Sequence, residues 1–182
     1  KVLSDVPVIF FSGGANQLNE HYDAILFMSL LSGRNPQYLI GEQVVSAPII
    51  RDLKLETIPT GYLLHDGGGK STVEFMSTSH PIPLNRTDIT EAHALAAKYL
   101  GMKLVYLEAG SGAQTPVPTE TIQTVSEKVD IPLIVGGGIR TPEDAEKRVN
   151  AGASFIVTGT VLETSDSFVL MKEIASATHV KE

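Results

Sequence analysis

Short apolar runs alternate along the chain with longer stretches in which apolar residues recur every three or four positions. Six runs stand out: Val6–Phe11, Ala24–Leu30, Glu56–Leu64, Lys103–Glu108, Pro132–Gly136 and Phe155–Gly159. They are rich in Val, Ile, Leu and Phe, and none alternates strictly between polar and apolar, so each is expected to be a strand covered on both faces. The stretches between them carry helix punctuation. In 141–152, Thr141 reads as an N-cap, Pro142 as the first helical residue and Gly152 as the stop. In 88–101, Asp88 or Thr90 is expected to cap and Gly101 to end the helix. Residues 118–129 and 166–177 read as two more helices, and 35–53 as a less regular one interrupted near Pro48. Residues 65–83 break the rhythm and predict a turn at Asp66–Gly69 followed by a short extra strand in a hairpin-like insertion.

Strands alternating with helices build a parallel sheet. A complete eight-unit barrel takes about 250 residues, and this chain has 182. The expectation is an α/β fold, a (β/α)8 TIM-type barrel in one domain (1–182) with the first two βα units absent. The last two strands end in glycine-rich turns of the kind such barrels place after strands seven and eight, which puts the deficit at the N-terminus. Lys1 in place of Met and the open apolar edges of a six-stranded sheet point the same way.

Composition narrows the chemistry. With 42% hydrophobic and 19% charged residues the chain can bury a core, and its net charge of -7 with no basic block excludes an electrostatic footprint for nucleic acid or an anionic membrane surface. A phosphate ligand must therefore be held by local donors, because the overall field repels it. Cysteine is absent, which removes disulfides, thiolate metal sites and a cysteine nucleophile. No apolar run reaches the roughly 20 residues of a transmembrane helix and no signal pattern opens the chain, so a cytoplasmic protein is expected.

Two glycine-rich strand ends suggest where a ligand sits. Val135–Arg140 (VGGGIR) precedes the helix capped by Thr141, and Val157–Thr160 (VTGT) ends the last strand. Glycines let backbone N–H groups approach a ligand closely, so Gly137, Gly138, Gly159 and Thr160 together read as a phosphate grip, although each turn alone is equally a tight βα connection. Tyr106–Ala113 (YLEAGSGA) adds a carboxylate, Glu108, at a strand's C-terminal tip, with Tyr106 before it and Gly110, Ser111 and Gly112 in a donor-rich turn. Glu108 could instead cap a loop, and Tyr106 could simply pack. Arg140 could face solvent or pair with Glu143 or Asp144, and the five histidines lack paired spacing and read as surface or capping residues.

YLEAGSGA, the PVP helix start, VGGGIR-T-P and V-x-G-T, with DAILFMSLLSGRNP and LETIPTGYLL upstream, resemble the archaeal geranylgeranylglyceryl phosphate synthases of the prenylglyceryl phosphate synthase family. The resemblance spans nearly the whole chain. One departure is Ser32–Gly33, where the family more often has Asn–Ser before Arg34.

The resemblance implies a prenyltransferase joining the 3-hydroxyl of sn-glycerol 1-phosphate to geranylgeranyl diphosphate, the first ether bond of archaeal membrane lipids, with Mg²⁺ on the diphosphate. It implies a glycerol phosphate site made by Tyr106, Leu107, Glu108, Ala109, Gly110, Ser111, Gly112, Gly137, Gly138, Gly159 and Thr160, with Glu108 and Tyr106 catalytic. Tyr62 is expected in the prenyl groove, and Leu63, Phe75 and residues 38–40 lie in segments that could line it. The family's metal-ligating aspartate would fall before this chain begins, so no metal ligand is assigned and the chain alone is expected to be a poor enzyme. A homo-oligomer is expected as well. Two other readings compete: a sugar-phosphate isomerase or cyclase barrel, which shares the terminal glycines but not YLEAGSGA, and an inactive fragment that keeps phosphate affinity.

Overall fold

In the computed structural model, residues 6–163 and 167–179 are described. They hold one six-stranded sheet in the order β1-β2-β3-β4-β5-β6, every neighbouring pair parallel. The strands are β1 (Ile9–Phe10), β2 (Ala24–Leu30), β3 (Glu56–Leu64), β4 (Leu104–Glu108), β5 (Leu133–Gly136) and β6 (Phe155–Val157). Six parallel units are therefore present among the described residues, not eight. The outer runs also shorten: only Ile9–Phe10 of the first run pairs, and the last strand stops at Val157. The expected two-sided cover holds for β4 and β5, whose residues are all buried, but not at the edges, where Ile9 and Phe155 are exposed.

Among the described residues six α-helices flank the sheet: α1 (Glu42–Leu53), α2 (Thr72–Ser77), α3 (Thr87–Tyr99), α4 (Thr119–Val129), α5 (Pro142–Asn150) and α6 (Ser167–Thr178). Asp166, expected at the start of the last helix, lies outside the described residues. Strand alternation sorts the side chains into two layers. Leu63, Val105, Leu107 and Val135 pack with Ile122, Val125 and Ala145 from the helices, whereas Leu26, Tyr62, Leu64, Tyr106 and Ile134 form a separate cluster on the opposite face of the sheet. Glu108 shares that second face, because it stands two residues beyond Tyr106.

Helix ends follow local rules where the cap is strong. The Thr141 hydroxyl accepts the Asp144 N–H at 3.1 Å with Pro142 next in the chain. Three expectations give way. Within residues 65–83, Thr72–Ser77 form helix α2 in place of an extra strand, since the Ser71 hydroxyl accepts the Glu74 N–H at 3.1 Å and starts a helical turn. Helix α3 begins at Thr87 with no side-chain cap, because Asp88 pairs with Arg86 and Thr90 is buried. The chain stays helical through Pro48; the irregularity lies upstream in a π-helical turn (Gln37–Gly41), and buried Ile50 anchors the helix beyond the proline.

Candidate functional site

The C-terminal ends of β4, β5 and β6 surround a cavity of about 530 Å³. Tyr106, Glu108, Gly110, Ser111, Gly112, Gly137, Gly138, Gly159 and Thr160 all line it, so the two glycine turns and the YLEAGSGA turn meet in one place. Leu107 and Ala109 do not line it: strand alternation turns Leu107 into the helix-side core, and Ala109 packs there too. Ser71, Thr72 and Val73 of α2 also reach the wall, a contribution that reading the segment as a strand had hidden.

Glu108 is 7% exposed, and its Oε1 accepts the Gly110 N–H at 2.6 Å. Burial pushes its pKa above the ordinary carboxylate value, while hydrogen bonds from the Tyr106 hydroxyl and the Gly110 amide pull it part of the way back. Burial first, and then the Glu108 charge, pushes the hydroxyl pKa of both Tyr62 and Tyr106 up, so both keep their protons and Tyr106 donates to Glu108. The result is a buried carboxylate held by two donors yet open to the cavity, an arrangement suited to accepting a proton from a bound hydroxyl.

At Gly137 and Gly67 the turns around it leave no room for a side chain. Gly137 has φ +82°, and a Cβ there would lie 2.6 Å from Glu108 Oε1 and 2.8 Å from the Gly110 nitrogen. A Cβ on Gly67 would overlap the Ala109 carbonyl oxygen, and the Gly67 carbonyl accepts the Gln114 and Thr115 N–H groups at 2.8 and 3.0 Å, which stitches the loop after β3 to the loop after β4. Arg140 supplies a further stitch. Its guanidinium donates to the Ala113 carbonyl at 2.7 Å and to the Gly112 and Gly138 carbonyls at 3.4 Å, rather than pairing with Glu143 or Asp144. It is the one cationic side chain in the cavity wall among the described residues.

His65 corrects the surface reading of the histidines. It is 1% exposed; one ring nitrogen is 3.1 Å from the Leu63 carbonyl and the other 3.0 Å from the Thr90 hydroxyl, and its backbone N–H donates to the Glu108 carbonyl at 2.7 Å. Burial lowers its pKa to about 4. Only the three-dimensional pairing of β3 with β4 and α3 reveals this role, since a lone His in sequence carries no such signal.

Beside the polar cavity lies an apolar groove of about 320 Å³. Leu26, Met28, Leu30, Tyr38, Tyr62 and Val73 are among its lining residues. Tyr62 lines this groove, whereas Leu63 belongs to the helix-side core and Phe75 is 74% exposed and lines neither cavity. Leu39 and Ile40 likewise lie outside the groove wall. Phe11, Tyr62, Thr72 and Val73 line both spaces, and the Tyr62 and Tyr106 rings meet edge-on at 5.1 Å between centroids. Among the described residues no three His, Asp or Glu side chains come together to hold a metal ion. Among the same residues no helix is long and apolar enough to cross a membrane.

The model of the PcrB family matches residues 1–178. This chain belongs to the PcrB family. Among its PcrB relatives is the geranylgeranylglyceryl phosphate synthase of Chitinophaga pinensis, 46% identical over 98% of this chain and 70% of that protein. The protein of the same name from Methanosphaera stadtmanae is 46% identical over 96% of this chain and 72% of its own length. The crystal structure of (S)-3-O-geranylgeranylglyceryl phosphate synthase from Thermoplasma acidophilum, in complex with sn-glycerol 1-phosphate, superposes with a TM-score of 0.90 at 40% identity, covering 96% of this chain and 70% of that one. The family resemblance drawn from YLEAGSGA and the glycine turns is thus shown.

Proposed function

We propose that this chain belongs to an enzyme that transfers the geranylgeranyl group from its diphosphate to the 3-hydroxyl of sn-glycerol 1-phosphate. The observation that carries the reading is the contiguity of three environments: a glycine-lined polar cavity, a buried carboxylate, and an apolar groove that shares Phe11, Tyr62, Thr72 and Val73 with that cavity. Turns at Gly137–Gly138 and Gly159–Thr160 suit the acceptor's phosphate, whose charge their N–H groups and the Thr160 hydroxyl can meet. The groove suits a polyprenyl tail.

In this reading Glu108 accepts the proton of the 3-hydroxyl as its oxygen bonds to the allylic carbon of the donor and the bond from that carbon to diphosphate breaks. The raised proton affinity of a buried carboxylate helps it take that proton, and the Tyr106 and Gly110 hydrogen bonds keep it aimed. The aromatic wall of Phe11, Tyr62 and Tyr106 excludes water from a carbon with cationic character. Leu107 and Ala109 act only as framework for the residues beside them.

A (β/α)8-type frame, a cytoplasmic setting and self-association go with this function, the last supported by Val44, Val45 and Ile49 standing exposed on α1. Mg²⁺ on the donor diphosphate also belongs to the reading. The test is incubation of the complete protein to which this chain belongs with labelled sn-glycerol 1-phosphate, geranylgeranyl diphosphate and Mg²⁺, which should give an ether phosphate that extracts into chloroform. Folded protein that binds labelled glycerol phosphate and forms no such product would overturn the assignment of the reaction.

A further inference from the structure

A third cavity, of about 480 Å³, shares no wall residue with the polar cavity or the apolar groove. It opens between the loop after β2 and the segment joining α2 to α3. Arg34, His80 and His93 line it together with the hydroxyl residues Ser32, Thr78 and Ser79, and no acidic residue does. In a chain of net charge -7 that composition is a local reversal of sign.

Arg34 is held rigidly by uncharged partners. Its Nη1 donates to the Gly33 carbonyl at 2.7 Å and the Leu31 carbonyl at 3.2 Å, and its Nη2 is 3.4 Å from His93 Nε2. His93 Nδ1 lies 2.8 Å from the Ile89 carbonyl, which can only accept, so Nδ1 carries the hydrogen and Nε2 turns a lone pair toward the guanidinium. No carboxylate forms an ion pair with Arg34 among the described residues. The Ser32 hydroxyl accepts the Leu64 N–H at 2.9 Å and keeps its own hydrogen to donate. A pre-placed guanidinium fork with hydroxyl and imidazole neighbours, and no competing carboxylate in the wall, matches a tetrahedral oxyanion better than any neutral ligand.

We propose that this cavity is a second binding site, for a phosphate-class anion, gripped by Arg34, which His93 Nε2 steadies, with Ser32 and His80 as flanking donors. Its walls are tied to the functional site. Ile82 donates to the Leu64 carbonyl at 2.8 Å and accepts from Asp66 at 2.9 Å, and the Asn35 side chain donates to the Ser77 carbonyl at 3.1 Å. An anion here braces the C-terminal end of α2, whose other end walls both the groove and the Glu108 cavity.

The test is an NMR titration of the imidazole and backbone amide signals with inorganic phosphate, against sodium chloride at equal ionic strength. Saturable shifts of the His80 and His93 rings and of amides 78–82, given by phosphate and not by chloride, are expected. Arg34→Met should weaken that response at least tenfold while leaving any phosphate response at the Gly137 and Gly138 amides, and Arg34→Lys should keep most of it. Shifts that chloride reproduces, shifts that never saturate, or an unchanged response in folded Arg34→Met would each overturn the proposal. The wild-type comparison decides the matter even where the methionine variant does not fold.

Discussion

The carboxylate of Glu108 accepts the N–H of Gly110 at 2.6 Å, so the acidic group in the cavity also fixes the turn that lines it. Replacing Glu108 with Gln keeps an acceptor for Gly110 but removes the base. Turnover should fall by about 10²–10⁴-fold, the usual worth of a positioned general base, while the KM for glycerol phosphate changes only a few-fold. Steady-state kinetics with both substrates check this, and an unchanged kcat would remove Glu108 from proton transfer.

The same substitution should stabilise the protein at neutral pH. Burial raises the Glu108 pKa in the folded state, so the protonated form is favoured there, and the stability this supplies is present below the unfolded pKa and lost as pH rises through the folded one. Glu108→Gln, uncharged throughout, should therefore show a higher Tm than the wild type at pH 7.5 and a smaller advantage at pH 4. A variant less stable at both pH values would contradict the account.

His65 has the opposite sign. Its pKa falls from 6.5 to about 4 on burial, so its contribution is complete above pH 6.5 and is lost as pH falls through 4, an effect of about 3 kcal/mol if the shift is fully expressed. His65→Asn should flatten that part of the acid limb in urea unfolding, at some cost at pH 7 from the lost bond to Thr90. An acid limb identical to the wild type's would show that another group titrates there.

Gly137→Ala forces a Cβ onto Glu108 Oε1 and the Gly110 nitrogen at a residue with φ +82°. Strain of about 1–3 kcal/mol is expected from the backbone alone, together with a loss of glycerol phosphate affinity as the turn shifts. Calorimetric binding alongside a thermal melt separates the two effects.

Arg140→Met removes the guanidinium that joins the loops after β4 and β5. Because the loops keep their backbone bonds, the fold should survive with a Tm within a few degrees of the wild type, while KM for glycerol phosphate rises more than kcat falls. Full retention of KM would mean that the clamp does not shape the grip.

Sequence alone determined the repeating units, because a parallel strand largely covered on both faces reads as a mostly apolar run without strict alternation. The ranges Ala24–Leu30 and Glu56–Leu64 are those of β2 and β3, and the Thr141–Pro142 cap is a purely local signal. The glycine turns and YLEAGSGA were legible because tight turns at strand ends need positive φ, which Gly110, Gly112, Gly137 and Gly138 adopt. Helix α2 was also legible in principle, since Ser71 and Glu74 have capping-box spacing, but its Val and Phe favoured a strand.

Tertiary structure decided the rest. Which face of β4 meets the cavity fixed that Tyr106 and Glu108 point in while Leu107 points away. Chain folding brought Arg140 onto the 110–113 turn and His65 onto Thr90, and no local pattern encodes partners 27 and 25 residues distant. The proton affinity of Glu108 is likewise a property of its enclosure, because the same side chain on a solvated strand end would titrate as an ordinary carboxylate.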